Sequence, residues 1–355
     1  MRPVFIEGIG IISTRGRGLN KFEQALKEGW VEPTISVDGR KAYRVPKDAL
    51  IDYNILKKVR RSDRFSRLAV FAACDAIHDS GLDIADLDHS SVGIIIATAF
   101  GPHATIFKVL EDIIDYGEKK VSPTTFAHSI HNAAASYVAS ALGCTGPVMT
   151  TTQFYFSFQQ ALLLASSWLD EGRLKKVLVG TVDECSPAME YICEEKLSVA
   201  QNGKMSPLSC LKRPKFVPGE GSAFFLVSHD SKNKKYGAFT EIKITSDSHG
   251  WTDVDLSIIG TNAMGGSEEV YKDVLNEGIP VAAYSSIYGG FMTGNAFECV
   301  AAALMLKNQK QYASSNIDGA EVWNVVDKSK KRELNQIQCI SHNNKRQLAF
   351  IKMMK

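Results

Sequence analysis

The stretch TGPVMTTTQFYFSFQQALLLAS, residues 145–166, decides what kind of chain this is. Val148 to Thr152 is a β-branched run, Gln153 to Ser157 breaks it, and Phe158, Ala161, Leu162 and Ala165 return at helical spacing. A strand, a sharp corner and a helix are predicted. At such a corner the free amides of the helix N-terminus face whatever side chain sits there. A cysteine or serine so placed is an activated nucleophile. This corner carries Gln153, Phe154 and Tyr155 instead, and Ser157 has no identifiable histidine partner.

Outward from the corner, β-branched runs alternate with helical patterns, which predicts an α/β architecture. VFIEGIGIIS (4–13), SVGIIIATAF (91–100) and KKVLVGTVDE (175–184) are predicted strands. DRFSRLAVFAACDAIHDSGL (63–82) is a predicted helix, with Phe65, Leu68, Ala72 and Ala76 on one face and Gly81 placed to end it. A polar run, HDSKNKKYG (229–237), interrupts the pattern, and GAFTEIKITSDSHG (237–250) then resembles the opening VFIEGIGIISTRG. This suggests an internal duplication into halves 1–231 and 232–355. In the second half EEVYKDVLNEG (268–278) and NAFECVAAALMLKNQ (295–309) are predicted helices. VAAYSSI (281–287), EVWNVVD (321–327), IQCISHN (337–343) and RQLAFIKM (346–353) are predicted strands. Residues 101–130 and 249–266 are expected to be less regular and to form surface or interface excursions.

With 355 residues, 45% of them hydrophobic, the chain can bury a large core. Its 41 basic and 39 acidic residues leave a formal charge of +2, so no global field points to nucleic acid or a membrane surface. Seven cysteines lie scattered without a C-x-x-C pair, which fits a reduced, cytoplasmic protein. The start, MRPVFIEGIGIIS, reads as a strand rather than a signal peptide or membrane span.

Four segments, in order, resemble the β-ketoacyl synthases of the thiolase fold. RSDRFSRLAVFAACDAIHDSGLDI (61–84) is similar to their R-x-D-R-F helix. KVSPTTFAHSIHNAAASYVASALGCTGP (120–147) is similar to their interface helix, which ends in G-P. KVLVGTVDE (176–184) resembles their V-x-x-G-x-x-D/E strand, and PLSCLKRPKFVPGEGSAFFLVS (207–228) their R-P-F…G-E-G-A segment. The resemblance implies two similar halves in α-β-α-β-α layers with mixed five-stranded sheets. It also implies decarboxylative condensation by a corner cysteine and two histidines, with the helix N-terminus favouring the thiolate and the imidazoles stabilising the enolate.

Position by position, those groups are missing. Counted without gaps from Gly146-Pro147, the nucleophile position holds Tyr155, whose phenol titrates near ~10 and cannot serve as an acyl carrier. The first histidine motif resembles IIGTNA (258–263), with Ile259 in place of the imidazole. The second matches SSIYGGFMTGNA (285–296), with Gly289 or Gly290 in its place and Tyr284 or Ser285 under the lysine. The glycine-rich C-terminal loop corresponds to SHNNKRQ (341–347). No catalytic residue is assigned.

The resemblance therefore implies a non-catalytic subunit similar to a chain-length factor, possessing no cofactor. Its implied partners are an active ketosynthase in a heterodimer and an acyl carrier protein, in a polyketide, fatty-acid or aryl-polyene type pathway. Phe126, His128, His131, Asn132, Gln153, Phe154, Tyr155 and Phe158 are the expected tunnel or partner-interface residues. Phe154, Tyr155, Phe156 and Phe158 are expected to refill the vacated pocket. His128 and His131, placed one turn apart on one helix, lack a third ligand, so no metal is expected. Asp183 and Glu184 are expected to be structural. The basic run Lys328, Lys330, Lys331 and Arg332 is expected to be solvated, with carrier-protein contact as its other use. The alternatives are residual malonyl decarboxylation, a hydrolase, or a homodimeric scaffold that binds carrier protein.

Overall fold

A computed structural model describes the chain except Val37, Ser198, Gln201 and residues 209–215, 247–249, 261–270, 272–273, 276–277, 316–323 and 344–346. One sheet path runs through ten strands. In chain order these are β1 (Val4–Ser13), β2 (Val92–Thr98), β3 (Val148–Thr152), β4 (Lys176–Asp183), β5 (Gly221–Ser228), β6 (Ala238–Thr245), β7 (Leu256–Ile259), β8 (Val281–Ala282), β9 (Gln336–His342) and β10 (Leu348–Met354). The helices used below are α1 (Leu19–Glu28), α2 (Tyr53–Lys58), α3 (Arg64–Asp79), α4 (His103–Tyr116), α5 (Pro123–His128), α6 (Ala133–Leu142), α7 (Ser157–Asp170), α8 (Pro187–Lys196), α9 (Ser285–Tyr288) and α10 (Asn295–Asn308).

The spatial order is β8-β7-β9-β10-β6 followed by β1-β5-β4-β2-β3. Adding five to each strand of the second set gives the first set in mirror order. The directions repeat as well: β2 is parallel to β3 and β4, as β7 is to β8 and β9, and the remaining neighbours within each set are antiparallel. The two sets meet where Val4 pairs with Phe239 and Phe5 with Ala238.

Helices α7 and α10 occupy equivalent places, each leading from an outer strand into the next central one, and both bury themselves in one shared core cluster. For α10 the reason is compositional: residues 295–306 are all buried, as suits a helix that is apolar on every side and sandwiched between layers. Helices α3 and α6 cover the other face of the first set in a second cluster. Here β1 approaches α3 closely: a Cβ on Gly10 would stand 1.9 Å from the Ala72 carbonyl oxygen. Asp63 caps α3 by accepting from the Ser66 N–H at 2.8 Å, and Gly81 follows the helix at φ +84°.

Four expectations need correction, the first being that segment 249–266 is an excursion: its residues Leu256–Ile259 form the buried strand β7 inside the sheet. Residues 101–130 are not irregular but carry α4 and α5, whose apolar positions the sequence reading passed over. His128 and His131 do not share a helix: His128 ends α5, and His131 lies in the turn before α6. A turn of backbone so placed breaks the i, i+3 face. VAAYSSI is a strand only at Val281–Ala282, after which Ser285–Tyr288 turns helical. Most of the EEVYKDVLNEG helix and half of EVWNVVD lie outside the described residues.

Candidate functional site

The corner between β3 and α7 is built by Ser157. Its hydroxyl donates to the Thr98 carbonyl at 3.0 Å and accepts from the Gln153 N–H at 2.8 Å, tying the corner to the end of β2. A hydroxyl so occupied is structural rather than nucleophilic. The strained residue of the corner is Phe154, at φ +46°, one position before Tyr155. Its ring is 51% exposed and meets Phe100 edge-on at 5.4 Å. Gln153 is exposed too, and Tyr155 is half-buried, with burial raising its phenol pKa.

The four aromatics do not refill one pocket. Phe154 faces out, whereas Phe156 and Phe158 are buried, Phe158 against Phe225 at 5.7 Å in the central core. Phe158 is fully enclosed and so cannot line a tunnel or an interface. Its position on the inner face of α7 removes it from the expected set. The sequence showed four aromatics in five residues, but the corner sends them in different directions.

Behind Tyr155 a polar chain links the halves. Asn295 donates to Gln159 Oε1 at 2.9 Å, and Gln159 Nε2 donates to Ser341 Oγ at 2.8 Å. The space beside this chain is a void of about 10 Å³, bordered by Gly260, Tyr288, Asn295, Glu298 and Ser341. That is room for about one water molecule. Tyr288 OH, Asn295 Oδ1 and Glu298 Oε2 have no partner among the described residues, and burial pushes the Glu298 carboxyl well above the usual range.

Neither histidine position is open to an imidazole. Ile259 is 1% exposed and packs with Tyr271 and Ile340 in the outer core, leaving its neighbour Gly260 to border the void. Gly289 has φ +87°, and a Cβ there would stand 2.8 Å from Gly219 Cα and 2.9 Å from Tyr43. At Gly290 the added atom would lie 2.7 Å from the Phe216 ring. Tyr284 is fully buried and donates to the Tyr312 carbonyl at 2.8 Å.

A much larger cavity, about 390 Å³, lies on the other side of Gly290–Met292, between α4 and α8. None of the four corner aromatics lines it. Two adjacent carboxyls form its floor. Asp183, at the end of β4, accepts from Thr98 Oγ1 (2.9 Å), Ala99 N (3.0 Å), Thr293 Oγ1 (2.8 Å) and Thr293 N (3.2 Å). Burial raises its pKa against these four bonds. Glu184 accepts from the Ala104 N–H at 2.9 Å. Burial pushes its carboxyl up to about 8, with nearby Asp63 and Glu220 adding to the shift and Arg64 opposing it.

The unfolded chain releases this proton near 4.5 and the folded chain near 8, so stability falls as pH rises through that window. The Glu184→Gln variant is expected to lose less thermal stability than the wild type between pH 5 and pH 9. Parallel pH profiles of Tm would rule this out.

The interface candidates other than Phe158 lie toward one edge. Phe126, His131, Asn132, Gln153 and Phe154 are exposed, His128 is half-buried with Tyr137 OH 2.7 Å from its Nε2, and His131 packs on Gly101 beside Phe100. β3 ends the sheet path here, with Val148 and Met149 exposed, and α4 adds Leu110, Ile113, Ile114 and Tyr116. Among the described residues no cluster of three metal-binding side chains occurs.

The β-ketoacyl synthase N-terminal domain profile matches residues 1–233. The chain belongs to the β-ketoacyl synthase family. It is 26% identical over 269 residues to a 3-oxoacyl-[acyl-carrier-protein] synthase 2 of Synechocystis, covering 70% of this chain and 64% of that protein. It is also 26% identical over 255 residues to the tetracenomycin polyketide synthase ketoacyl synthase alpha subunit of Streptomyces glaucescens, covering 67% and 60%. The matched region thus spans less than two thirds of these relatives. A β-ketoacyl synthase from Burkholderia phymatum superposes over the whole of both chains, with TM-score 0.85 and 17% identity. The ishigamide ketosynthase/chain length factor superposes with TM-score 0.84 and 15% identity, covering 100% of this chain and 99% of that one. These likenesses establish the thiolase-like ketosynthase fold, and no helix among the described residues is long and apolar enough to cross a membrane.

Proposed function

We propose that this ketosynthase-family chain is a non-catalytic subunit that pairs with an active ketosynthase and shapes the chain the partner elongates. The observation that carries the proposal is the corner with its surroundings. It holds Phe154 and Tyr155 where the family mounts a nucleophile, and backbone and rings stand where an imidazole would have to go. A catalyst that had lost one group would keep the space for the others.

The exposed edge supports the pairing. β3 offers an unpaired strand edge flanked by exposed Val148, Met149, Phe126, Ile130 and Phe154, a surface costly to leave in water. Phe126 and His131 on that edge are the side chains placed to meet the partner's growing chain, and steric filling is how they would limit its length. Carrier-protein contact is supported by charge. Lys57, Lys58, Arg60 and Arg61, exposed around the end of α2, form no ion pair among the described residues, and Lys119 and Lys120 are also exposed. Such a patch attracts an acidic partner, and its effect weakens with salt.

Native mass spectrometry of the chain expressed alone and with an intact ketosynthase from the same organism tests the pairing. A one-to-one complex is expected, and a stable homodimer indifferent to the ketosynthase would refute it. In an active complex, Phe126→Ala and His131→Ala are expected to shift products toward longer chains. An unchanged product distribution would remove the length-setting role.

A further inference from the structure

The chain as a whole carries a formal charge of only +2, but its cations are unevenly placed. One end of the sheet, where β10 finishes beside the start of β6, gathers lysines from separate parts of the chain. Lys307, near the end of α10, holds its Nζ 4.4 Å from the centre of the Tyr236 ring, and Lys235 Nζ lies 5.4 Å from the same ring. Gly237, next in sequence, abuts Lys355, whose N–H donates to the Asn335 carbonyl at 3.0 Å. Just before Asn335, the Arg332 N–H donates to the Gln309 carbonyl at 3.1 Å, beside the end of α10. From there Lys310–Gln311 pairs antiparallel with Lys330–Lys331. These contacts join the lysines into one continuous face.

Most of that charge is uncompensated. Lys235 is paired with Asp79 at 2.7 Å, but Lys307, Lys310, Lys328, Lys330, Lys331 and Lys355 form no ion pair among the described residues. Of the nearby acids, Glu23 is taken by Lys27 at 2.6 Å, and Asp255 accepts from the Asn335 and Gln336 N–H groups. Exposed Asp327 and Glu333 remain against these lysines. The register adds a second observation: Lys310 stands directly opposite Lys331. Like charges so placed weaken a strand pair, and an anionic surface laid over the ribbon would remove that repulsion.

The side chains also indicate which anionic surface fits. Lysine offers a compact charge without the planar fork that reads a single phosphate in a fixed orientation. No aromatic ring stands exposed on this face among the described residues, so a nucleic-acid strand would find nothing to stack on. The large apolar side chain exposed here is Met354, 38% accessible, beside Lys355. Spread cations around a flexible apolar side chain suit a fluid bilayer, where charge attracts and the apolar group enters the headgroup boundary.

We propose that this lysine-rich end of the molecule docks on the phosphate headgroups of an anionic bilayer. The contact uses neither the corner nor the β3 edge, so it stands or falls independently of the ketosynthase pairing.

Flotation of the full chain with mixed phosphatidylglycerol and phosphatidylcholine vesicles tests this, with vesicles of phosphatidylcholine alone as the reference. Binding to the anionic vesicles is expected to exceed binding to the neutral ones by about tenfold or more at low salt, and to be lost by about 0.5 M salt. The combined variant Lys328→Glu, Lys330→Glu, Lys331→Glu is expected to bind about a hundredfold more weakly, since each lysine near such a surface contributes about fivefold. Lys331→Glu also turns the like-charge pair with Lys310 into an opposite-charge one, so the denaturation midpoint should not fall, which separates lost binding from lost folding. Charge reversal at Lys57 and Arg60, outside this face, should leave vesicle binding unchanged. Equal binding to the two vesicle types, undiminished binding by the triple variant, a similar loss on reversing Lys57 and Arg60, or tighter binding of a DNA duplex or of polyglutamate than of the anionic vesicles would overturn the proposal.

Discussion

Gly289→Ala is expected to destabilise the protein by about 3 kcal/mol, and Gly289→His by more. Gly289 ends α9 at φ 87° and ψ 175°, a backbone region that is essentially restricted to glycine. Strain alone accounts for roughly 1–3 kcal/mol. Steric overlap adds to it, because the new Cβ would meet Gly219 Cα at 2.8 Å and the Tyr43 side chain at 2.9 Å. Neither neighbour can yield easily. Gly219 is backbone, locked by its own N–H to the Gly290 carbonyl at 3.1 Å, and Tyr43 is fully buried with its hydroxyl donating to the Val31 carbonyl at 2.9 Å. Urea denaturation reads the effect as a drop in midpoint at unchanged slope. A loss below roughly 1 kcal/mol would mean that the backbone relaxes and that the space for an imidazole is recoverable. The same geometry predicts that Tyr155→Cys, alone or with Gly289→His, yields no condensing activity.

The second large effect is expected at Asp183. Replacement by alanine removes the acceptor of four hydrogen bonds that join Thr98 at the end of β2, the following Ala99 and Thr293 of the second half. Donors left buried without a partner cost about 1–3 kcal/mol each when water cannot reach them. A total of about 4 kcal/mol is expected after partial relaxation. Asp183→Asn should be milder, since the amide keeps one acceptor oxygen but turns its NH2 toward other donors. Denaturant midpoints ordered wild type, Asn, Ala would support this, and an alanine variant as stable as the wild type would show that water enters from the neighbouring cavity to satisfy the donors.

Both sites show why part of the architecture was legible beforehand. VFIEGIGIIS was readable as a strand because every second apolar residue and the β-branched content agree, and β1 spans those ten residues. NAFECVAAALMLKNQ was readable as a helix, and its burial on every side, which α10 shows, follows from its nearly all-apolar composition. VAAYSSI misled because β-branched and aromatic content says strand, while the chain must turn after Ala282 to place α9 against Gly219. Residues 101–130 misled in the opposite way. Ile106, Val109, Leu110 and Ile113 recur at helical spacing and were passed over, although in the fold Leu110, Ile113 and Ile114 stand exposed. The cavity had no signal in the sequence at all: its walls come from α4, α8 and the segments 216–219 and 290–292, far apart along the chain.

What the sequence by itself determined is local and subtractive. Periodicity set most strands and helices, the order of four motifs placed the chain among the ketosynthases, and the residues at the corner and at the expected histidine positions are the basis of the proposal that condensing groups are missing. Those properties depend on side-chain identity at a known spacing, which a sequence displays directly. Only the tertiary structure decided which aromatics face solvent, that backbone crowds Gly289 at an expected histidine position, and that an unfilled apolar cavity bordered by Glu184 lies next to segment 290–292. Those properties depend on distances between residues up to a hundred positions or more apart, such as Asp183 and Thr293, and packing alone sets them.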